Sequence, residues 1–533
     1  MNSLDNDVLT SLAMLRRHIN ILQSPIYRLP SDVFSEVASH LQPETDLIRF
    51  THVSYHLRAD LLSYPSLWSC IDSSHEERAQ AFFRRSKQAP LHINQIENKH
   101  QNLPLLPTHT ARLASLEMCD CESQKEFIFS QPMPTLRRLK IVSALHIDGE
   151  YDGEIEDFPV WSLTSVTSLI LYNVAPTRLH VPHLTRFGFA RGDEVTLIDP
   201  LLEFLDNCPL LEDLYISINS ESSYSRDRLV SLPNLRNYTQ RTNRHHHSLG
   251  LFNKLSLPPT CSVTIRRVAQ PEIVTTADVI PPFRNKDRLV GITRVKLKAR
   301  GPDIGSWTAG TLEFINTNGV KVCSERTLCG DPVEFIVHDG SDLAHMRCLP
   351  DLDPGSVEVL CLEGYSLRDD KGRYVVDDVR NAFGCLRGLT TIILSSTSME
   401  PCLLALDIDP GADGHPRHSP SVNTLVILYS EFCFDWSKTL QILLTVAQRR
   451  KAAGSPFKSV SLFLLNDPQS EQILDQLREC IEEFEVTIGD YALGWDVDKY
   501  FLAGLDHLQD RRDVWCDQVD NSLQVQRRNP GAW

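Results

Sequence analysis

Three consecutive histidines, His245–His247, would suit a metal site, because imidazole binds transition metals. Arg241 and Arg244 precede them and would suit an anion. No carboxylate or cysteine stands at a useful spacing, so a metal would find an incomplete set of donors. The neighbouring residues are polar, and we interpret the run as part of a solvated loop.

An acidic segment at residues 407–413 contains three aspartates and a glycine, which is typical of calcium-binding loops. Pro410 interrupts the segment, and no glutamate stands at the closing position that an EF-hand requires. We therefore predict that Asp407, Asp409 and Asp413 do not form a calcium site.

The sequence contains 14 cysteines, and many of them lie within apolar runs, as Cys361 does. Two pairs stand close in sequence, Cys119 with Cys121 and Cys323 with Cys329, but neither has the spacing of a structural zinc site. In a reducing compartment, cysteines in apolar runs are most simply buried thiols. We expect no metal centre.

The sequence lacks the motifs of common hydrolases and nucleotide-binding enzymes, since it has no Gly-x-Ser-x-Gly, no Gly-x4-Gly-Lys-Ser/Thr and no His-Glu-x-x-His. A cysteine nucleophile needs a base held beside it, and sequence does not reveal such a base. We predict a protein without enzymatic activity and without a cofactor. The opposing hypothesis, an enzyme with an unrecognised cysteine nucleophile, requires one hyper-reactive thiol among the 14.

Charge and hydropathy exclude some classes of partner. The chain carries 69 acidic and 53 basic residues, a formal net charge of −16, which repels phosphate backbones and argues against nucleic acid. We predict no membrane span, because no run of about 18 apolar residues occurs, and no signal peptide, because the N terminus is acidic. We expect a cytoplasmic or nuclear protein, long enough at 533 residues for more than one core.

The elements that could position a functional surface begin with an amphipathic helix predicted within residues 1–25. Its apolar residues recur at steps of three and four and fall on one side: Leu4, Val8, Leu12, Leu15, Ile19 and Leu22. Pro25 ends the helix, because the residue before a proline disfavours the α conformation. We expect this face to dock on the rest of the chain, and a coiled coil with a partner is the alternative.

Three short helices are predicted between residues 26 and 72. Ser31 favours the start of the first, and Thr45 or Asp46 favours the start of the second. The first carries Val33, Phe34, Val37, Ala38 and Leu41, the second Leu47, Ile48, Phe50 and Val53, and the third Leu57, Leu61 and Leu62. Helices this short bury little core alone, so their apolar side chains serve either an internal core or an interface. Such a segment is typical of an adaptor module.

The order of residues in this segment resembles an F-box, as found in large fungal F-box families. The matching positions are Leu29-Pro30, Asp32-Val33-Phe34, Val37, Leu41, Asp46-Leu47, Val53-Ser54, Leu57-Arg58 and Pro65-x-Leu67-Trp68. The match covers roughly residues 25–72 and no more of the chain. One departure is that Tyr55, His56 and Leu57 stand where many F-boxes carry a basic residue and an aromatic.

The resemblance implies that this segment binds a Skp-type adaptor, which links it to a cullin and a RING subunit. The positions that match adaptor-facing or core residues of the family are Leu29, Pro30, Val33, Phe34, Val37, Leu41 and Leu47. Sequence does not separate these two uses, because a helix that fills a partner's groove has the same three-and-four spacing as a core helix.

The rest of the chain repeats a loose pattern: an apolar residue, two variable residues, an apolar residue, one variable residue and a third apolar residue. Apart from the stretch between residues 216 and 292, the ten copies recur mostly at roughly the period of leucine-rich repeats. They are Leu113–Met118, Leu136–Ile141, Val166–Leu171, Leu184–Phe189, Leu211–Ile216, Ile292–Leu297, Val357–Leu362, Leu389–Leu394, Val422–Ile427 and Phe457–Leu462. A pattern this loose arises about a dozen times by chance, so the order of the copies counts for more than their number.

Two copies also predict the helices between the strands. Residues 201–218 contain a helical stretch, a turn at Asn207-Cys208-Pro209 and an alternating strand, which together make one repeat of a solenoid. Residues 470–484 predict a second helix, which precedes a strand at Val486 and Ile488.

These patterns predict an α+β or α/β chain in four parts: an amphipathic helix (1–25), an F-box (26–72), a polar linker (73–110) and an irregular leucine-rich-repeat-like solenoid (111–533). The stacked strands of a solenoid form a broad surface suited to a protein partner. The resemblance implies substrate recognition for an SCF-type (Skp–cullin–F-box) ubiquitin ligase, with an unknown target protein on the repeats. A repeat scaffold that binds the adaptor outside any ligase is the alternative.

Overall fold

The computed structural model of the chain divides into two units. The first comprises Met1–Val174 and Arg178–His183, and the second comprises Ala175–Thr177 and Leu184–Ala532. The structure describes residues 2–41, 44–72, 75–96, 106–119, 131–142, 161–176, 179–191, 195–196, 198–218, 220–221, 228–242, 251–269, 292–298, 307–316, 321–328, 356–363, 376–395, 399–408, 421–428, 436–464 and 471–488. The chain is a mixed α/β protein with parallel strands.

The first unit begins with a series of helices. These are α1 (Asn2–Gln23), a 3-10 helix (Pro25–Arg28), α2 (Ser31–Ser39), α3 (Glu44–Thr51), α4 (Tyr55–Ser63) and a second 3-10 helix (Pro65–Trp68). Pro25 and Pro65 stand in the first turn of the two 3-10 helices, where a backbone N–H is not needed. The N-terminal helix and the three short helices predicted from the sequence are confirmed. We call residues 25–72 the helical module.

Two details of the helical module differ from the prediction. Pro30 occupies the N-cap position of α2, and Ser31 is the first helical residue, which suits a proline that cannot donate an N–H. α3 ends at Thr51, so Val53 lies in the turn before α4 and not on the second helix. The backbone N–H of Val53 donates to the carbonyl oxygen of Phe50 (3.2 Å), which tightens and closes the last turn.

The apolar face of α1 lies in solvent. Its described side chains are between 41% and 57% exposed: Val8, Leu12, Leu15, Ile19 and Leu22. The expectation that this face docks on the rest of the chain is therefore wrong for these residues, and the side chain of Leu4 lies outside the described part. Amphipathic spacing predicts that a helix has an apolar face, but it does not specify which surface buries that face.

The predicted polar linker, residues 73–110, is folded where the structure describes it. It contains α5 (Glu76–Arg85), β2 (Leu91–Ile96) and α6 (Leu106–His109), and a 3-10 helix (Thr110–Arg112) follows. Ala79, Phe82 and Phe83 are buried along one side of α5. The prediction of a linker was wrong, because these apolar residues at helical spacing are enough to fold a segment that is otherwise strongly charged.

The strands of the first unit form a parallel ladder. In order they are β1 (Cys70–Asp72), β2, β3 (Leu113–Cys119), β4 (Arg138–Val142) and β6 (Ser168–Tyr172), while β5 (Trp161–Ser162) pairs with β7 (Leu179–His180). One apolar residue of each strand lies at the same register and is buried: Ile71, Ile93, Leu116, Leu139 and Leu169. This row is the core of the ladder.

The second unit alternates strands with helices. Its elements are β8 (Arg186–Ala190), β9 (Val195–Thr196), α7 (Ile198–Asp206), β10 (Asp213–Ile218), β11 (Ser220–Glu221), β12 (Val230–Ser231), β13 (Asn237–Thr242), β14 (Leu255–Ser256), β15 (Ser262–Ala269), β16 (Ile292–Lys298), β17 (Trp307–Asn316), β18 (Lys321–Leu328), β19 (Val359–Glu363), α8 (Val376–Cys385), β20 (Thr391–Ser395), α9 (Met399–Ala405), β21 (Thr424–Leu428), α10 (Trp436–Ala452), β22 (Ser459–Leu464), α11 (Glu471–Cys480) and β23 (Glu483–Ile488), with a 3-10 helix at Phe252–Lys254. The main ladder runs β8, β10, β13, β15, β18, β17, β16, β19, β20, β21, β22, β23. Its pairings are parallel except where β17 runs antiparallel to both of its neighbours.

An apolar residue occupies one register on every strand of the main ladder, and on the strands that carry a copy of the repeated pattern it is the second apolar residue of that copy. The residues in this row are Phe187, Leu214, Tyr238, Val263, Val322, Phe314, Val295, Leu360, Ile392, Leu425, Val460 and Phe484. In all ten copies predicted from the sequence, the second and third apolar residues lie on a ladder strand of one unit or the other, so a strand is present at each copy.

Two strands of the main ladder, β13 and β15, lie in the stretch between residues 216 and 292 where the sequence pattern was not recognised. Tyr238 and Gln240 stand at the second and third apolar positions of the β13 copy, and both are buried. The Tyr238 hydroxyl donates a 2.6 Å hydrogen bond to Oε1 of Gln240. This bond lets a polar residue occupy an apolar position, which concealed the copy in the sequence.

Of the two helices predicted between strands, the one at residues 201–218 is confirmed, and the one at residues 470–484 is shorter than predicted. The helix, turn and strand predicted at residues 201–218 are α7, a turn in which the N–H of Cys208 donates to the carbonyl oxygen of Leu205 (3.0 Å), and β10. α11 ends at Cys480, earlier than predicted, and Phe484 lies on β23 because its backbone pairs with Val460 of β22.

Candidate functional site

An exposed apolar face on α2 is the candidate site. Leu29, Val33 and Val37 stand four residues apart and are 37%, 42% and 45% exposed. Val33 and Val37 are one turn apart and lie on the same side of α2, and Leu29 lies in the segment that leads into this helix. We call these three residues the α2 face. It has no chemistry of its own, and what it can do is bury apolar surface against another molecule.

The other side of α2 forms the core of the helical module. Phe34 and Ala38 are buried, as is Leu47 of α3. The Phe34 ring lies 6.1 Å from the ring of Phe50 and 6.4 Å from that of Tyr64, measured between centroids. Phe34 therefore packs α2 against α3 and against the residue that follows α4. This internal core leaves the α2 face to solvent.

The start of α2 is fixed by its neighbours in the helical module. Pro30 is exposed, and its locked φ directs the chain from the first 3-10 helix into α2. The Tyr27 hydroxyl forms a hydrogen bond with Oγ of Ser54, the residue that caps α4 by accepting from the N–H of Leu57 (3.2 Å). The segment before α2 is thereby joined to the start of α4, which holds Leu29 at the edge of the α2 face.

The structure separates the seven residues that match the F-box pattern by their exposure to solvent. Leu29, Pro30, Val33 and Val37 are exposed, Leu41 is half-buried, and Phe34 and Leu47 are buried in the module. Sequence could not make this division, because exposed and buried residues lie on the same short helices. Only the exposed residues are in position to contact another protein without rearrangement.

Two further exposed apolar residues of the helical module, Val53 and Tyr55, were not predicted as site residues. Val53 was placed on the second helix, and Tyr55 was noted only as a departure from the F-box pattern. The signal that could have revealed them is their position on either side of Ser54, because a helix-capping serine places its neighbours in a surface turn.

The end of the helical module is fixed to the first unit. Trp68 is fully buried, its indole Nε1–H donates to the carbonyl oxygen of Leu61 (2.9 Å), and its ring meets that of Phe82 edge to face at 5.0 Å. The guanidinium of Arg85 lies 4.5 Å above the Trp68 ring. Burial, with added repulsion from Arg58 and Arg84, lowers the pKa of Arg85.

A second, polar surface lies on the ladder of the first unit. Lys140 and Glu117 stand opposite each other on β4 and β3 and form an ion pair (2.5 Å). Arg138 is exposed on β4, the strand of Lys140, and His92 is half-buried on the neighbouring strand β2. Burial, and then the positive charge of Arg138, lowers the pKa of His92. This polar strand surface is a second place where a protein could bind.

The corresponding strand surface of the second unit is covered. Apolar side chains from five strands form a buried cluster there: Ile315, Cys361, Ile393, Val426, Leu428 and Phe463. The strands β19–β22 are therefore buried on both sides, which explains why they read as continuous apolar runs. This part of the ladder does not present an open strand surface.

The residues considered for metal chemistry are only partly described. His245–His247, Cys121, Cys329, Asp409 and Asp413 lie outside the described residues. Asp407 forms a 2.5 Å ion pair with Arg449. The described part of the chain contains no group of three or more metal-ligating side chains. Burial raises the pKa of the Cys208 thiol to about 12 and also raises that of Cys402, so these two thiols are poor nucleophiles.

Among the described residues, no helix is long and apolar enough to cross a membrane. Comparison with models of protein families and with curated proteins found no match to this chain.

Proposed function

We propose that this chain is the substrate receptor of an SCF-type ubiquitin ligase, in which the helical module is an F-box that binds a Skp-type adaptor. The observation that carries the proposal is the open α2 face, formed by Leu29, Val33 and Val37. These are three of the residues that match adaptor-facing or core positions of F-boxes, and they are exposed. A module that fills its own core with Phe34 and still exposes an apolar face is suited to binding a partner.

The rigid connection of the module supports the same role. Trp68 packs the end of the helical module against α5, so the α2 face belongs to a body that also carries the first strands. A ligase receptor acts by proximity, holding the target's lysines near a charged ubiquitin-conjugating enzyme at a raised effective concentration. A rigid connection keeps that distance constant.

In this proposal the strand ladders form a leucine-rich-repeat-like solenoid that binds the target protein. The in-register row of apolar residues, from Phe187 to Phe484, supports a repeat architecture in which each strand packs mainly on its neighbours. We propose that the target binds the polar strand surface of the first unit, around Glu117 and Lys140, where the described ladder is accessible. We propose a cytoplasmic or nuclear, non-catalytic protein without a cofactor.

The adaptor-binding step is tested by co-purification of the full chain with a Skp-type adaptor. Val33→Lys with Val37→Lys should weaken binding at least about a hundredfold, because two apolar side chains lose their burial and lysine keeps the helix. Leu29→Ala with Pro30→Ala should also reduce it. Leu229→Lys makes the same chemical change at an exposed leucine outside the module and should leave binding intact.

Three outcomes decide the proposal. A wild-type chain that does not bind the adaptor contradicts it, as does equal binding by the module variant and the Leu229→Lys control. Adaptor binding without recruitment of cullin and RING subunits favours the scaffold alternative. Recruitment of the complete complex, with a target protein that accumulates when this chain is removed, supports the ligase receptor and its role in degradation.

A further inference from the structure

Four residues at one register cross the polar strand surface of the first unit: His92, Ser115, Arg138 and Ser168. Each stands directly before the buried core residue of its strand, so its side chain lies on the opposite face of the sheet. Arg138 is exposed, and the other three residues are half-buried. We call these four residues the Arg138 row.

Arg138 carries the positive charge of this row. Burial, and then Arg138 itself, lowers the pKa of His92 below its ordinary value of 6.5, so the imidazole is uncharged at neutral pH. Ser115 and Ser168 lie on the two strands that flank Arg138, each about 4.8 Å away across the sheet. Within the described part of the chain, no acidic side chain pairs with Arg138, and neither serine hydroxyl forms a hydrogen bond.

The ladder of the second unit contains an arginine at the equivalent place. Arg186 stands directly before Phe187, the core residue of its strand. Asp213 lies on the neighbouring strand at the same register, and its Oδ2 is 3.2 Å from Nε of Arg186. Oδ1 of Asp213 accepts a 2.7 Å hydrogen bond from Nδ2 of Asn237, on the strand beyond. One carboxylate therefore lies between a guanidinium and an uncharged donor.

The Arg138 row has the same kinds of donor without the carboxylate. We propose that it binds an aspartate or glutamate side chain of the target protein, whose carboxylate accepts hydrogen bonds from the guanidinium of Arg138 and from the hydroxyls of Ser115 and Ser168. Hydrogen bonds between a guanidinium and a carboxylate are stronger than those between uncharged groups. That the partner is a ligase target rests on the proposed function, whereas the acid-binding row does not depend on the adaptor.

The charge of this surface favours a carboxylate over a phosphate. One guanidinium balances the single charge of a carboxylate, whereas a phosphate group carries a charge of about −2 near neutral pH. Lys140 adds no net positive charge, because it is paired with Glu117 beside the row. The net charge of −16 on the whole chain also repels a polyanion such as nucleic acid.

The test is selection of random displayed peptides on the full chain. Peptides that bind the wild-type chain should be enriched in aspartate or glutamate at one position, and Arg138→Gln should abolish this enrichment. Ser115→Asp should abolish it too, because it supplies a carboxylate from within the chain, as Asp213 does for Arg186. Arg236→Gln is the matched control, since Arg236 is an exposed arginine already paired with Glu212 (3.8 Å), and it should keep the enrichment.

Fluorescence anisotropy of one selected peptide, and of the same peptide with its acid replaced by the amide, measures the size of the effect. The wild-type chain should bind the acidic form at least about tenfold more tightly, and Arg138→Gln should bind both forms equally. Circular dichroism verifies that the variant is folded. Selection without acidic enrichment contradicts the proposal, as does an acid preference that survives in Arg138→Gln or binding of an oligonucleotide through Arg138 in place of the peptide.

Co-purification with the Skp-type adaptor separates this inference from the proposed function. Arg138→Gln should bind the adaptor as the wild-type chain does, because the substitution lies outside the α2 face. A wild-type chain that prefers the acidic peptide but ignores the adaptor contradicts the ligase receptor and supports the acid-binding row. Adaptor binding without any acid preference does the reverse.

Discussion

Nη2 of Arg450 donates a 2.7 Å hydrogen bond to the carbonyl oxygen of Val422, at the approach to β21. Nη1 of the same side chain donates to the carbonyl oxygen of Leu406 (3.4 Å), and the guanidinium lies 4.6 Å above the ring of Phe457. Arg450 is completely buried, and this burial lowers its pKa to about 10, so it remains charged at neutral pH. One side chain thus joins α10 to segments from both neighbouring repeats.

Arg450→Met should lower the free energy of unfolding by about 2–4 kcal/mol, because two buried carbonyl groups lose a charged donor while the methionine still fills the space. Urea unfolding monitored by circular dichroism measures the change. Arg478→Met is the control, since Arg478 forms only an exposed ion pair with Asp475 and should cost under about 0.5 kcal/mol. Equal effects of the two variants would show that the buried contacts of Arg450 contribute nothing.

Phe34→Ala should destabilise the helical module by about 3–5 kcal/mol, because it removes the ring that packs α2 against Phe50 and Tyr64. Val33→Ala, one residue away on the α2 face, should change stability by less than about 0.5 kcal/mol. Hydrogen exchange of the amides in α2, α3 and α4 measures both effects. Similar protection in the two variants would contradict the division of α2 into a core side and a free side.

Tyr238→Phe should lower the free energy of unfolding by about 1–2 kcal/mol, because Oε1 of the buried Gln240 loses the hydroxyl that donates to it. In combination with Gln240→Leu the cost should be smaller than the sum of the two single changes. A double-mutant cycle based on urea midpoints should give a coupling of about 1 kcal/mol. Strict additivity of the two substitutions would mean that this hydrogen bond does not stabilise the repeat.

His92 should make the first unit less stable at acidic pH. Its pKa in the folded chain lies below the ordinary value of 6.5, first through burial and then through Arg138. The free energy of unfolding is therefore highest above pH 6.5 as far as His92 is concerned. It falls as the pH drops towards the folded-state pKa, because the unfolded chain binds the proton more readily. One such group changes the free energy of unfolding by at most about 1.4 kcal/mol per pH unit.

The measurement for His92 is the thermal midpoint of the wild-type chain and of His92→Asn between neutral and mildly acidic pH. The wild-type curve should decline more steeply than that of the variant below pH 6.5. His180→Asn serves as the matched control, because it is an exposed histidine of the same unit. Parallel curves for the wild-type chain and His92→Asn would rule out a contribution from this imidazole.

Cys208 and Cys402 should resist alkylation of the native chain, since burial raises the pKa of both thiols and shields them. Cys70, Cys385 and Cys480 are half-buried and should react faster, at ordinary rates. Timed reaction with iodoacetamide, followed by peptide mass spectrometry, compares all of them. One thiol reacting far faster than a free cysteine would revive the hypothesis of a cysteine nucleophile.

The candidate site could be predicted only in part, for a physical reason seen at Val33 and Phe34. Both residues are apolar, adjacent and on the same short helix, and both match the F-box pattern. Whether each is buried depends on where Phe50 and Tyr64 lie, and those residues are 16 and 30 positions further along the chain than Phe34. The same applies to α1, whose apolar face was expected to dock on its own chain and instead lies in solvent.

The sequence by itself determined the local elements: the helix borders at Pro25 and Pro65, the strands that begin after each turn, and the ten copies of the repeated pattern. These depend on backbone sterics and on the period of apolar residues, which act over a few neighbours. Tertiary structure alone decided that Gln240 could stand in an apolar row, that residues 73–110 fold, and that the β19–β22 strands are covered on both sides. Burial and hydrogen bonding of these residues depend on partners distant in sequence, which no local pattern specifies.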